Sequence, residues 1–484
     1  VQAVIDGLYR EEAVIRGGIG KDPIVRDPCQ EAAIRAALTA SLLVISGGPG
    51  TGKTSLLANV LRALVGIGTD PSRIVLAAPT GRAAQRMIES MSASLATIAA
   101  PDHRDRCLGR LNGSTLHKLL VYRTRTHGFW YGEHRHLPAD VVVVDEVSMV
   151  DVVMMDRLFQ AIDPHRTRVI LLGDKDQLPS VDAGSVLADM RPTDDGAFAG
   201  HFIMLQHVYR SGGELLDLAK TINVGDPVSL TPVSFDRALA RGEGTWSFIA
   251  AKDGRAIDRI IDQWVRLQYL QRQDETDDSY VDLVRRLDRL ADSPDGGTAE
   301  QRMALLGRLF GFAYRCRLLT VLRRGRTGAQ WINNCIGSGL RQILDPACNP
   351  DDGWFNGALI MVTRNDYTRE LFNGDVGVVL RQTDGTYRVY FRRADGVVDL
   401  PVSGLSDWDL TFAMTVHKSQ GSEFDDTLLM LPETTDHRLL TREIIYTAAT
   451  RASRRLIVCG NPDAFQTALK RKIHRHSGLG LSSG

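Results

Sequence analysis

The stretch ISGGPGTGKTSLL at residues 45–57 admits few backbones. Four apolar residues, Leu42 to Ile45, lead into it and read as a short buried strand. Gly47, Gly48, Gly50 and Gly52 then strip the loop of side chains, with Pro49 and Thr51 between them. Lys53, Thr54 and Ser55 open the run LLANVLRALVGIG, whose apolar residues recur at helical spacing. Strand, glycine loop, Lys-Thr and helix in that order make the G-x-x-x-x-G-K-[ST] phosphate cradle. Backbone N–H groups converge on phosphate oxygens there, and the helix N-terminus adds partial positive charge. Lys53 is expected to reach the β- and γ-phosphates, and the Thr54 hydroxyl to hold Mg²⁺. A chance glycine turn is the alternative; the flanking strand and helix weigh against it. The loop from Gly47 to Ser55 is therefore expected to bind a nucleoside triphosphate.

A chain of 484 residues is too long for one core, and its length suggests roughly two to four domains. Hydrophobic content of 43% and charged content of 24% are ordinary for a globular protein. No run of eighteen apolar residues indicates a membrane span. The opening VQAVIDGLYREEAVIRGG reads as helix rather than signal peptide, because Asp6, Glu11 and Glu12 interrupt any apolar run. The sequence does not begin with Met, so a preceding segment is an open expectation. Acidic and basic residues balance at 58 each, which argues neither for nor against nucleic acid. Only nine of the basic residues are Lys, and Lys53, Lys118, Lys175 and Lys418 all fall in motifs, which favours specific tasks for them. Six cysteines form no C-x-x-C pair, so reduced thiols in the cytosol are the expectation.

Buried-strand candidates at Leu42–Ile45, Arg73–Ala78, Val141–Asp145 and Arg168–Leu172 alternate with helical stretches. That pattern predicts a parallel sheet with helices on both faces and chemistry at the strand carboxyl ends. A second set at Arg317–Leu322, Thr427–Leu431 and Leu456–Gly460 predicts a second α/β core, while 253–315 reads as mostly helix and 292–301 as a surface loop. Residues 121–137, VYRTRTHGFWYGEHRHL, read as an exposed hairpin with an aromatic tip at Phe129 and Trp130. In 357–410 two Asp-Gly turns separate β-rich runs, as in a small inserted barrel. The expected division is a helical 1–26, a first core over 27–204 and a second core over 205–356 and 411–484, interrupted by the 357–410 insertion.

The strand VVVVDEVSMV delivers Asp145 and Glu146 to its tip. Asp145 suits Mg²⁺ coordination, through water, and Glu146 suits activation of an attacking water. The next strand ends in Gly173, Asp174 and Gln177, and a neutral Gln there bonds a γ-phosphate or the water without acting as a base. LQHVYRS offers Arg210 and IYTAATRA offers Arg451; either alone reads as a surface arginine. Two arginines meeting one γ-phosphate would instead explain two cores, since ATP would draw them together and hydrolysis would release them.

The segments APTGRAAQRM (78–87), STLHKLL (114–120), LGDKDQLPSVDAG (172–184) and TVHKSQGSEF (415–424) resemble superfamily 1 DNA helicases of the 5′-to-3′ branch. With VTRNDYTRELFNGDVGVV (362–379) they are similar in particular to the RecD group, the alpha subunits of exodeoxyribonuclease V (RecBCD). The resemblance spans about residues 27–470, with its motifs in order. It implies an α/β fold of two RecA-like P-loop cores, with a β-hairpin insertion and an SH3-like β-barrel insertion. It also implies ATP and Mg²⁺ as cofactors, and 5′-to-3′ movement on DNA in double-strand break repair and recombination. At matching positions Gln30 would recognise adenine, and Gly421 and Glu423 would approach the nucleotide. Pro79, Thr80, His117, Thr415, His417 and Lys418 would line a single-strand track, although both histidines can equally be structural. The hairpin stands where such helicases meet the duplex fork.

Only some thirty residues precede Gln30, and they lack the G-x-G hairpins of the stand-alone RecD-like helicases, which tilts the reading toward a complex with RecB-like and RecC-like subunits. The alternatives are a stand-alone RecD-like or Pif1-like helicase, a relaxase-type enzyme, or a module in which ATP switches a DNA clamp. Glu146, Gln177, Arg210 and Arg451 together weigh against the clamp, because a switch needs no full hydrolytic set.

Overall fold

A computed structural model of the chain describes all residues except 18–21, 24–25, 124–127, 181, 191–197, 199, 210–212, 252, 272–277, 293–297, 367, 394–395 and 474–484. It divides into two compact units, Val1–Gly212 with His474–Gly484, and Gly213–Ile473. Among the described residues no helix is long and apolar enough to cross a membrane.

In the first unit the opening helix, α1 (Gln2–Leu8), is shorter than its sequence suggests. The chain turns back at Arg10, whose carbonyl accepts from both Ala13 and Val14, and β1 (Arg16–Gly17) pairs antiparallel with β2 (Asp22–Pro23). Ile5, Leu8 and Ile15 all enter one core, so the segment stays packed on the unit across the turn. That core also takes Ile34 and Leu38 of α2 (Pro28–Thr39), so the opening segment is integral to the unit.

The main sheet is built from β3 (Leu42–Gly47), β4 (Ile74–Ala78), β5 (Gly113–Thr115), β8 (Val141–Val144), β9 (Arg168–Gly173) and β10 (Phe202–Leu205). Between β5 and β8 the chain makes the small antiparallel pair β6 (Tyr122–Arg123) and β7 (Gly128–Phe129). The sheet order is β10-β3-β9-β8-β4-β5, parallel throughout. Alternation along the strands feeds two cores. Val141, Val143, Ile170 and Leu172 pack with α1, α2, α3 (Lys53–Gly66) and α4 (Gly81–Leu95), whereas Val142, Val144, Val169 and Leu171 pack toward the helix Val152–Gln160. This is the expected parallel sheet with helices on both faces.

Within the α3 side, Arg62 and Asp105 form a buried ion pair of 2.7 Å, each side chain 7% exposed, and Arg62 also donates to Asn59. Both charges are out of water, so each depends on the other. Asp105→Ala should cost about 3–5 kcal/mol of unfolding free energy in urea titrations, and adding Arg62→Met should recover much of it.

The second unit holds β11 (Thr245–Ala250), β12 (Cys316–Thr320), β13 (Leu359–Val362), β14 (Val376–Arg381), β15 (Tyr387–Arg393), β16 (Gly396–Pro401), β17 (Trp408–Leu410), β18 (Ala413–Thr415), β19 (Phe424–Met430) and β20 (Ala452–Gly460). The parallel sheet runs β11-β20-β19-β12-β18. The segment 359–410 makes a separate antiparallel sheet, β16-β15-β14-β13-β17. Its first Asp-Gly turn has Gly385 at φ +79°, the left-handed conformation that glycine tolerates best. Ala394 and Asp395 of the second turn, and 293–297 of the loop expected at 292–301, lie outside the described residues; Asp292 ends one helix and Ala299 begins the next. Helices Gly254–Val265, Tyr280–Asp292 and Ala299–Arg315 fill the stretch read as helical. The fully buried Arg317 of β12 donates to the carbonyls of Thr411 and Ala313, tying the return from the antiparallel sheet to the parallel core.

Candidate nucleotide site and nucleic-acid contacts

In the parallel sheet of the first unit, β3, β9 and β8 are neighbours, so their carboxyl ends bring three expected segments together. After β3 the loop turns through Gly50 at φ +76° and Gly52 at φ +77°, and α3 starts at Lys53. A Cβ on Gly47 would fall 2.6 Å from the Thr51 hydroxyl, so this glycine is required by close approach. The Thr51 hydroxyl donates to the Gly48 carbonyl at 2.8 Å. Lys53 folds back to donate to the carbonyls of Gly47 and Gly48 (3.0 Å to the latter), which holds its ammonium at the loop. Thr54 and Ser55 follow in the first turn of α3.

Asp145 leaves the end of β8, and its carboxylate accepts from the Glu146 N–H at 2.8 Å. Burial, then the neighbouring Glu146 charge, pushes its carboxyl up to about 6, while Lys53 and Arg86 oppose the shift. Glu146 itself sits at φ +54°, ψ +40°, a left-handed conformation that a non-glycine residue adopts at a cost. Strain at this residue fixes where its carboxylate starts. Gly173 at the end of β9 lets the backbone of Val147 and Ser148 pass within 3.3–3.4 Å of where a Cβ would stand. The following loop is tied to the phosphate loop, because Lys175 N–H donates to the Ser46 hydroxyl at 3.2 Å. Gln177 is buried, its amide nitrogen donates to Asp174 at 3.2 Å, and its Oε1 has no hydrogen-bond partner. A buried amide oxygen left open suits acceptance from a water, one of the roles expected of Gln177.

Gln30 is buried in the first turn of α2, and a Cβ on Gly52 would lie 3.0 Å from its amide nitrogen. It therefore abuts the phosphate loop. Sequence reasoning missed its neighbour Tyr209, whose N–H donates to the Gly50 carbonyl at 2.8 Å and whose ring stands 3.2 Å from that same Cβ position. Burial and Asp27 raise the Tyr209 hydroxyl, which stays protonated and leaves the ring as a flat face beside Gln30 and the loop. The only sequence signal is its place in LQHVYRS, one residue before Arg210. Arg210 lies outside the described residues.

Pro79 and Thr80 follow β4, and the Thr80 hydroxyl caps α4 through Ala83 N–H. His117 follows β5; its ring packs against Tyr122 and Phe129, each at 5.9 Å, and partial burial lowers its pKa. The imidazole is accordingly held toward the neutral form. Here the structure corrects the aromatic-tip expectation: Phe129 and Trp130 are on the returning side at the hairpin's base, where Phe129 packs on Tyr122 and His117. Apolar rings gain more from one another there than from solvent at a tip.

The second unit gathers its own expected residues. Thr415 ends β18, its hydroxyl accepts from Lys418 N–H, and the Lys418 ammonium pairs with Asp409 at 3.0 Å. His417 lies between them in a short 3₁₀ turn. Gly421 turns at φ +68° before Glu423 and β19. Arg451 is 4% exposed and bonds within its own unit, to the carbonyls of Ser422 (2.9 Å) and Thr447 (3.2 Å) and to the Thr450 hydroxyl. It is thus an internal tie that joins the 421–423 turn to the end of the helix Arg442–Ala449.

An AAA domain family matches residues 30–183, which contain the phosphate loop, Asp145, Glu146 and Gln177. The UvrD-like helicase C-terminal domain matches 410–459, which contain Thr415 to Arg451. The RecBCD enzyme subunit RecD of Mycobacterium tuberculosis is 36% identical over 460 residues, covering 93% of this chain and 72% of that protein. The chain belongs to the RecD family. The RecD subunit of Mycolicibacterium smegmatis is 37% identical over 457 residues, covering 93% and 74%. The ATP-dependent RecD2 DNA helicase of Deinococcus radiodurans is 31% identical over 439 residues, covering 89% of this chain and 48% of that protein. As a RecD-family member the chain is an ATP-dependent DNA helicase and P-loop hydrolase. In it Glu146→Gln should retain nucleotide binding and lose turnover by about 10²–10⁴-fold, measured as phosphate release beside a nucleotide-binding titration.

Proposed function

We propose that this chain is the 5′-to-3′ motor of a RecBCD-type helicase-nuclease that acts on broken DNA ends in the cytosol. The single observation carrying the motor reading is the convergence of Lys53, Asp145, Glu146 and Gln177 at the ends of three adjacent parallel strands. Relatives named as RecBCD subunits support the partners, a RecB-like and a RecC-like subunit, with nuclease chemistry assigned to a partner.

The residues present fit Mg·ATP. Glycines 47, 48, 50 and 52 open the loop's backbone, Lys53 meets the β/γ-phosphates, Gln30 reads the adenine and Tyr209 stacks beside it. Thr54 and Asp145 would hold Mg²⁺, which neutralises charge between the phosphates when bound. Glu146 takes a proton from the attacking water and Gln177 Oε1 accepts its second hydrogen bond. Gly421, Glu423, Arg210 and Arg451 are proposed to act on the nucleotide, the arginines as stabilisers of γ-phosphate charge. Arg451 now donates to the carbonyls of Ser422 and Thr447. Pro79, Thr80, His117, Thr415, His417 and Lys418 are proposed to carry the strand, and the antiparallel sheet of 359–410 to form a small SH3-like barrel.

Because Asp145 keeps its proton up to about pH 6, Mg²⁺ must displace that proton below this pH. Apparent Mg²⁺ affinity in the presence of ATP should fall about tenfold per unit as pH drops below 6, in metal titrations at fixed nucleotide. For the ligand-free chain the sign is opposite: this raised carboxyl favours the fold at low pH, and that contribution is lost as pH rises through about 6.

Strand displacement tests polarity and motor activity together. Duplexes with a 5′ single-stranded tail should be unwound in the presence of ATP and those with a 3′ tail should not. The reverse preference would overturn the polarity, and ATPase activity that single-stranded DNA leaves unchanged would favour the switched clamp.

A further inference from the structure

Trp130 lies between two arginines: the guanidinium carbon of Arg123 is 3.7 Å from its ring centre and that of Arg135 is 4.0 Å. Two cations that near one centre would collide if they shared a face. They therefore occupy opposite faces, and the indole keeps them roughly 8 Å apart. Several exposed arginines elsewhere in the chain are tied to carboxylates, as in Arg26–Asp6, Arg166–Asp140 and Arg326–Asp258. Among the described residues neither the Arg123 nor the Arg135 guanidinium has an ion-pair or hydrogen-bond partner, although Glu133 is two positions from Arg135. A guanidinium held by its face keeps its N–H edge for other acceptors.

The support beneath this stack is built and partly strained. Val121, a β-branched residue, takes φ +55°, and the Trp130 N–H donates to the carbonyls of Leu120 and Val121 at 3.0 and 3.1 Å. Gly132 and Arg135 exchange backbone hydrogen bonds of 3.0 and 2.9 Å, which fixes where Arg135 begins. Tyr122 and Phe129 of the same hairpin pack on His117, so the stack is mounted on the loop already assigned to the strand track.

We propose that Arg123, Trp130 and Arg135 form a rigid grip on two consecutive backbone phosphates of single-stranded DNA, beside the track at His117. The indole acts as a spacer: it sets the two forks at a separation comparable to that of neighbouring phosphates on an extended strand. Contact to phosphate alone makes the grip indifferent to base sequence. This inference rests on the helicase reading and names a contact that reading does not supply.

The test is binding of the full chain to an oligothymidylate, followed by fluorescence anisotropy across a sodium chloride series. Each single-strand phosphate contact contributes about 0.7 to the slope of log affinity on log salt. The pair Arg123→Gln with Arg135→Gln should lower the slope by about 1.4 and weaken binding about tenfold at physiological salt. Arg135→Gln alone should give about half the slope change, which guards against the double variant failing to fold. Replacing both by Lys keeps the charge but loses the planar stack, and should still weaken binding. A slope unchanged in the glutamine variants overturns the grip, and an equal loss on blunt duplex overturns the assignment to a single strand. Wild-type chain that neither binds oligothymidylate nor hydrolyses ATP faster with it would sink the helicase reading instead, a distinguishable result.

Discussion

A phosphate loop is useful only when a lysine, an acid and open backbone N–H groups meet within a few ångströms. An all-parallel sheet supplies that meeting, because every strand ends on the same edge. In the first unit β3, β9 and β8 lie side by side, and each delivers one part: the glycine loop with Lys53, the Asp174–Gln177 loop, and Asp145 with Glu146. Cross-ties then remove slack, above all the bond from Lys175 N–H to the Ser46 hydroxyl. Most of the site's other geometry depends on this ordering of strands.

Backbone strain and one unmet buried hydrogen-bonding group fall at functional elements of the first unit. Glu146 and Val121 are two of the three non-glycine residues with positive φ among the described residues, and they flank the nucleotide site and the hairpin base respectively. Gln177 leaves a buried amide oxygen open at the end of β9. Such features cost stability and persist because the surrounding packing over-determines them. Arg451 shows the opposite state, with its guanidinium bonded to carbonyls and a hydroxyl in its own unit.

Much of this was legible in the linear pattern. The valine run before Asp145 could only be a central strand, and the glycines of 47–52 announced a loop whose backbone approaches something closely. The opening helix reads longer in the sequence than it is because apolar spacing continues past Leu8, although the chain turns back at Arg10. Tyr209 escaped notice because its significance lies in lying against Gly52 and Gln30, residues distant in sequence. The hairpin was visible from its composition, but not the placement of its aromatic residues.

The sequence by itself determined the phosphate loop, the acid and amide proposed to serve it, and the parallel α/β class, because local backbone chemistry and strand patterning are short-range properties. Only the tertiary structure decided which strands are neighbours, that Trp130 lies between the guanidinium groups of Arg123 and Arg135, and that Arg451 bonds to the Ser422 and Thr447 carbonyls. Those facts arise from contacts between side chains whose partners no spacing rule specifies, so they exist only once the cores have closed.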